Sequence, residues 1–185
     1  VETGRPLVLA EIEIPPLRPG QVLVEIGYSG VCHTQLLEVR GYRGADRYLP
    51  HCVGHEGSGT VRETGHGVRK VKPGDAVVVS WIKGMGAEEP ATRYHWEGRA
   101  VNAGAVTTFS RYSVISENRL TTVPPGLSPA SAALLGCAVP AGVGSVLNVA
   151  QPRPGQSLVV FGIGGVGACA VAAASLAGCR PVIAV

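Results

Sequence analysis

The sequence predicts a mixed β and α/β fold, with a β-rich domain over residues 1–150 and, over 151–185, the opening strand–helix–strand unit of a doubly wound parallel sheet. Three observations carry this. From Gln21 the apolar period is two, with Val22, Val24 and Ile26 on one face and Leu23 and Glu25 on the other, the mark of a half-buried strand. The chain holds 26 Gly and 14 Pro, which supply the tight turns a strand-rich domain needs. At Pro152-Arg153-Pro154-Gly155 the composition changes. An unbroken apolar run, Leu158-Val159-Val160-Phe161, then reads as a parallel-sheet strand, and an Ala-rich helix follows a glycine turn.

In chain order, Pro15-Pro16 and Arg18-Pro19-Gly20 break the first stretch, and the Gln21–Ile26 strand leads to Cys32. Residues 33–40 predict a short helix ended by Gly41, and 42–50 a loop. Glycines 54, 57 and 59 mark a close backbone approach. Turns at Gly65-His66-Gly67 and Lys72-Pro73-Gly74-Asp75 precede a buried strand over Ala76–Val79. Residues 83–104 show no period and predict an irregular lobe. Thr107–Ile115 predicts another strand. Ser128-Pro129 places a capping hydroxyl and a first-turn proline before the helix Ala130–Leu135. A second apolar helical run covers Ala141–Val149. Ala168–Ala177 is the last helix, and Pro181–Val185 starts a further strand.

Apolar residues make up 45% and charged residues 16%, enough for a sizeable core and against disorder. A net charge of +3 without a basic run argues against nucleic acid as the main partner. No apolar run approaches 18 residues, which argues against a membrane partner. The odd count of 5 Cys and the lack of a secretory signal predict a reducing, cytoplasmic setting in which thiols are ligands or core filler. The start at Val1 and the end inside an apolar run predict a fragment of a longer protein.

Gly162, Gly164 and Gly167 sit between a strand and a helix, the context that gives a glycine motif its physical content. The first permits a tight turn. The second lets a pyrophosphate approach the backbone, and the third lets helix and strand pack. With Gly165 and Val166 they form a predicted dinucleotide site at a helix N-terminus. The acidic residue that separates NAD from NADP should lie roughly 20 residues on. No Asp or Glu lies between Gly162 and Val185, so the choice between NAD and NADP is not legible.

Cys32, His55 and Cys137 are candidate ligands of one zinc ion. Cys32 and His55 are 55 − 32 = 23 residues apart, too far for a finger knuckle. A catalytic zinc takes three ligands from scattered segments and keeps one position open. A lone Cys is usually a small buried hydrophobe, and a lone His is usually just hydrogen-bonded. Context raises these three: a strand end, a Gly-His-Glu run, and a capped helix before the linker. Their donor atoms should converge to within roughly 4 Å. Cys52, Cys169 and Cys179 are read as structural, and His51, His66 and His95 as solvated loop histidines.

Together Gly30-Val31-Cys32-His33-Thr34, Gly54-His55-Glu56-Gly57, Lys72-Pro73-Gly74-Asp75, Val106-Thr107-Thr108-Phe109-Ser110, Leu135-Gly136-Cys137 and Gly162–Gly167 resemble the zinc-dependent, medium-chain alcohol dehydrogenases over essentially the whole chain. The resemblance implies a GroES-like catalytic domain joined to a Rossmann domain. It implies one catalytic zinc on Cys32, His55 and Cys137, with Glu56 as a carboxylate that enters or leaves its coordination. Thr34 would receive the alcohol proton. His33 would lie against the cofactor pyrophosphate or extend the proton relay, and Trp81 would wall the substrate pocket. The implied activity is NAD(P)-dependent oxidation of an alcohol or reduction of an aldehyde, in a homodimer or homotetramer.

Three departures stand out. Residues 83–104 hold no Cys, which predicts no structural zinc. Gln35 stands where the family usually has Asp, a partner of a zinc ligand. Leu37 stands where a relay histidine is often found. Other readings are a polyol dehydrogenase, a zinc-free enone or quinone reductase of the same superfamily, and a non-catalytic GroES-like module.

Overall fold

The computed structural model describes residues 2–185. The chain divides into two compact units, Val1–Gly136 and Cys137–Val185. In order, the first holds β1 (Gln21–Ser29), α1 (His33–Val39), β2 (Glu56–Thr64), β3 (Ala76–Ser80), β4 (Arg93–Trp96), β5 (Arg99–Asn102), β6 (Tyr112–Ser116), β7 (Leu120–Thr122) and α2 (Pro129–Ala133). The second holds α3 (Ala138–Gly144), β8 (Leu158–Val160), α4 (Gly165–Leu176) and β9 (Val182–Ala184).

Five strands of the first unit form an antiparallel sheet in the order β6-β1-β2-β3-β7. The period of two in β1 lands as expected: Val22 and Val24 are fully buried and Ile26 packs beside them. They meet Val61, Val77, Val79, Ile115 and Leu120 in one apolar core. β3 is apolar on both faces because both are covered. Val77 and Val79 enter that core, and Val78 is buried on the opposite side. On β2, Ser58 Oγ donates to the Pro129 carbonyl at 2.6 Å, which ties α2 to the sheet. α2 starts as predicted: the Ser128 side chain accepts from the Ser131 amide, and proline fills the first turn.

Residues 83–104 are not the irregular lobe the sequence predicts. They contain the β4–β5 hairpin, closed by Glu97 (φ 50°) and Gly98 (φ 73°). Positive φ at both central residues is the two-residue turn whose twist suits a hairpin. Tyr94 anchors it: the ring is fully buried, and its hydroxyl accepts from the Val114 amide at 2.8 Å. Tyr94, Val101, Ala103 and Val114 form a second small core that Cys52 joins. The strand predicted from Thr107 begins only at Tyr112, because residues 106–108 are a buried loop whose hydroxyls serve neighbouring backbone.

In the second unit β8 and β9 pair in parallel, Leu158 opposite Val182, with α4 connecting them. α4 starts at Gly165, three residues before the predicted Ala168. Gly162 takes φ 88°, and a Cβ added to Gly167 would lie 1.8 Å from the Gly162 carbonyl oxygen. The predicted turn and helix–strand contact therefore both depend on glycine. This compact unit also holds α3, which packs on α4. Gly142 makes the contact close: a Cβ there would lie 2.3 Å from the Val166 carbonyl oxygen. α3 runs into a π-helical turn over Ser145–Ala150 that ends at Gln151 (φ 46°). Val146, Ala170, Ala173, Ala174 and Cys179 form the core of this unit. Among the described residues no single helix is long and apolar enough to cross a membrane.

Candidate metal centre

Three neighbouring strands bring distant residues to one end of the sheet. Ser29, the last residue of β1, pairs with Gly57, the second residue of β2. Cys32 follows β1 and His55 precedes β2, so this register removes the separation between them. Glu56 in turn pairs with Ser80, the last residue of β3. Ser80 Oγ donates to the Gly136 carbonyl at 2.7 Å, and Cys137 is the next residue along the chain. The donor atoms of Cys32, His55 and Cys137 all lie within 4.8 Å of one another, and each residue is half-buried. Two sulfurs and one imidazole nitrogen are a donor set for zinc, and three protein ligands leave a tetrahedral ion one open position.

Cys32 is the N-cap residue of α1. Gln35, on the first turn, is buried and joins two segments. Its Oε1 accepts from the Cys32 backbone amide at 3.2 Å, and its Nε2 contacts His55 Nδ1. Burial pushes the His55 pKa below its ordinary 6.5, while the nearby Glu38 charge pulls it up. The net shift favours the neutral ring, the form that ligates a metal.

A clamp that sequence reading assigned to a strand fixes the His55 segment. Thr107 Oγ1 donates to the Val53 carbonyl at 2.9 Å, and the Thr108 and Phe109 amides donate to the same oxygen at 3.3 and 3.0 Å. Thr108 Oγ1 donates to the Glu56 carbonyl at 2.9 Å, and Ser29 Oγ meets Thr108 Oγ1 at 2.7 Å. Both ends of Val53–Glu56 are thus held by one pair of threonines. The tandem hydroxyls within an apolar run were the available signal, since threonines of that kind often serve backbone rather than a ladder.

Glu56 is 3% exposed, and its side chain packs beside Gly30 and Gly136. It lies outside the converging set of three donors. His33 and Thr34 open α1, His33 exposed and Thr34 half-buried. Trp81 follows β3, is 50% exposed, and its carbonyl accepts from Arg119. Gly162, Gly164, Gly165, Val166 and Gly167 form the turn into α4.

His51 is not the solvated loop histidine the sequence predicts. Nδ1 lies 2.8 Å from the Cys52 carbonyl oxygen, and Nε2 lies 2.7 Å from Asp46 Oδ2 and 3.7 Å from Glu38 Oε1. The group ties the loop after α1 back to that helix. Burial raises the Asp46 carboxyl, but the Tyr48 amide and His51 outweigh it, and its pKa falls below 3.8.

Residues 18–125 match the profile of the Alcohol dehydrogenase GroES-like domain, 125 − 18 + 1 = 108 of 185 residues. The chain belongs to that family. The S-(hydroxymethyl)glutathione dehydrogenase of Escherichia coli O6:H1 is 33% identical over 207 residues, covering 98% of this chain and 56% of that protein. An alcohol dehydrogenase zinc-binding domain protein from Burkholderia ambifaria superposes with a TM-score of 0.87 at 29% identity, over 98% of this chain and 56% of that one. Benzyl alcohol dehydrogenase from Acinetobacter calcoaceticus superposes at 0.80 with 26% identity, over 94% of this chain and 53% of that one. The chain spans about half the length of the curated relatives it matches.

Proposed function

We propose that this chain carries the catalytic metal centre and the start of the cofactor domain of a zinc-dependent alcohol dehydrogenase, which oxidises a primary or secondary alcohol, or reduces the matching aldehyde or ketone, with NAD or NADP. The observation that supports it most is the convergence of Cys32, His55 and Cys137 within 4.8 Å at one sheet end. The family, and relatives named as dehydrogenases of S-(hydroxymethyl)glutathione and benzyl alcohol, support the reaction class.

In this reading Cys32, His55 and Cys137 hold one zinc ion. Zinc held by these three residues would supply the Lewis acidity that makes an alcohol hydroxyl easier to deprotonate. Thr34 Oγ1 accepts the alcohol proton and passes it towards His33, which is exposed at the start of α1. Glu56 holds a carboxylate close behind the ligands. Trp81 walls the substrate side with apolar surface. The turn Gly162–Gly167 and the first amides of α4 would hold the pyrophosphate of a nicotinamide cofactor, which would supply the hydride chemistry. Domains of 1–150 and 151–185, a homo-oligomeric parent and a cytoplasmic setting belong to the same proposal.

The test pairs metal analysis with a hydride-transfer assay over an alcohol panel, with NAD and with NADP. It uses the 185-residue chain beside a version extended to the length of its relatives. Zinc at one per chain and activity in the extended version that Cys137→Ser abolishes are the predicted results. Zinc-independent reduction of enones by the extended version would overturn the reading.

A further inference from the structure

The amide of Gln35 has one end that accepts and one that donates, and its two neighbours fix which is which. A backbone amide only donates, so the contact with the Cys32 N–H at 3.2 Å requires Oε1 on that side. Nε2 then faces His55 Nδ1. An amide NH₂ only donates, so Nδ1 must accept and carries no hydrogen. In a neutral imidazole the single ring hydrogen then sits on Nε2. Rotating the amide by half a turn does not help, because it would set an NH₂ against the Cys32 N–H.

This is the wrong tautomer for a metal ligand. With Nδ1 taken by Gln35, Nε2 is the nitrogen left to join the two sulfurs, and a ligating nitrogen needs its lone pair. Binding an ion through Nε2 moves the ring hydrogen to Nδ1, where it meets the Gln35 NH₂. A carboxylate at position 35 would have no such conflict, because one oxygen can accept from the Cys32 amide and the other from Nδ1–H.

We infer that Gln35 is a positioning residue that holds His55 in the Nε2–H tautomer and so keeps the Cys32–His55–Cys137 centre at a lower zinc affinity than its three ligands would otherwise reach. The inference rests on the metal reading above and concerns how tightly that centre holds its ion. Outer partners of ligating histidines typically change metal affinity by roughly 10–100-fold, and a change of this size is expected here.

The isosteric variant Gln35→Glu separates the possibilities. Zinc affinity is measured by competition with a chromophoric chelator, and the His55 tautomer by nitrogen-15 NMR of the metal-free protein. The prediction is an Nε2–H ring in the wild type, an Nδ1–H ring in Gln35→Glu, and a zinc dissociation constant roughly 10–100-fold lower in the variant. An Nδ1–H ring in the metal-free wild type overturns the inference even if the variant fails to fold. Equal zinc affinity of the two proteins overturns it as well and leaves the metal reading standing. Zinc binding by neither protein overturns the metal reading and the inference with it.

Discussion

Thr108 Oγ1 donates to the carbonyl of Glu56 at 2.9 Å, and through that bond a loop 52 residues further along the chain sets the direction of the Glu56–Gly57 peptide, directly after His55 and Glu56. The hydroxyl is 2% exposed in its residue, so no water replaces it when it is lost. Thr108→Val keeps the shape and removes the donor. A loss of about 1–3 kcal/mol in denaturant unfolding is predicted, together with weaker zinc binding. Unchanged zinc affinity in a folded variant would show that the clamp serves stability alone.

Gly54 precedes His55 and takes φ 103°. A Cβ there would lie 2.4 Å from Thr108 Oγ1 and 2.8 Å from the Phe109 amide nitrogen, both parts of the same clamp. Gly54→Ala therefore combines a disfavoured backbone with a clash against groups that cannot withdraw. A cost of at least about 2 kcal/mol is predicted, with zinc affinity falling alongside stability.

Tyr94→Phe tests the hairpin. The buried Val114 amide would lose its acceptor while the ring packing stays. Leaving such a donor unsatisfied costs about 1–3 kcal/mol, which calorimetry would read as a lowered Tm. The centre lies on other strands, so zinc binding should be retained.

Glu117 sets an acid limit on the first unit. Burial raises its carboxyl, but amide hydrogen bonds from Ala87, Arg69 and Lys70 outweigh it, and its pKa falls below the ordinary 4.5. Oε2 accepts from Arg69 and Lys70 at 2.9 and 3.2 Å, and Oε1 from Ala87 at 2.8 Å. The folded pKa is depressed, so the unfolded chain binds the proton first. The stabilisation is complete above 4.5 and is lost as pH falls through the lower folded value. Glu117→Gln should be less stable at neutral pH and should show a flatter loss of stability below 4.5 in urea titrations.

What the sequence discloses depends on how far its signals reach. The period of β1, the Ser128-Pro129 start and the glycine turn at 162–167 are local, and each was legible. Cys32, His55 and Cys137 were legible as residue types and through the family resemblance. Their meeting depends on the pairings Ser29–Gly57 and Glu56–Ser80, which only the folded sheet defines. The β4–β5 hairpin was hidden because its strands have four residues each and Glu97 occupies a turn position that usually goes to Asn, Asp or Gly. His51 was misread because its partners Glu38 and Asp46 come from a helix and a loop that only the fold brings together.

X-ray absorption at the zinc edge of the zinc-loaded protein tests the centre most directly. Two sulfurs at about 2.3 Å and one imidazole nitrogen at about 2.0–2.1 Å, with a lighter fourth atom, are predicted. The loss of one sulfur in Cys137→Ser should follow. A shell of oxygen and nitrogen alone, or no bound zinc, would contradict a catalytic metal on Cys32, His55 and Cys137.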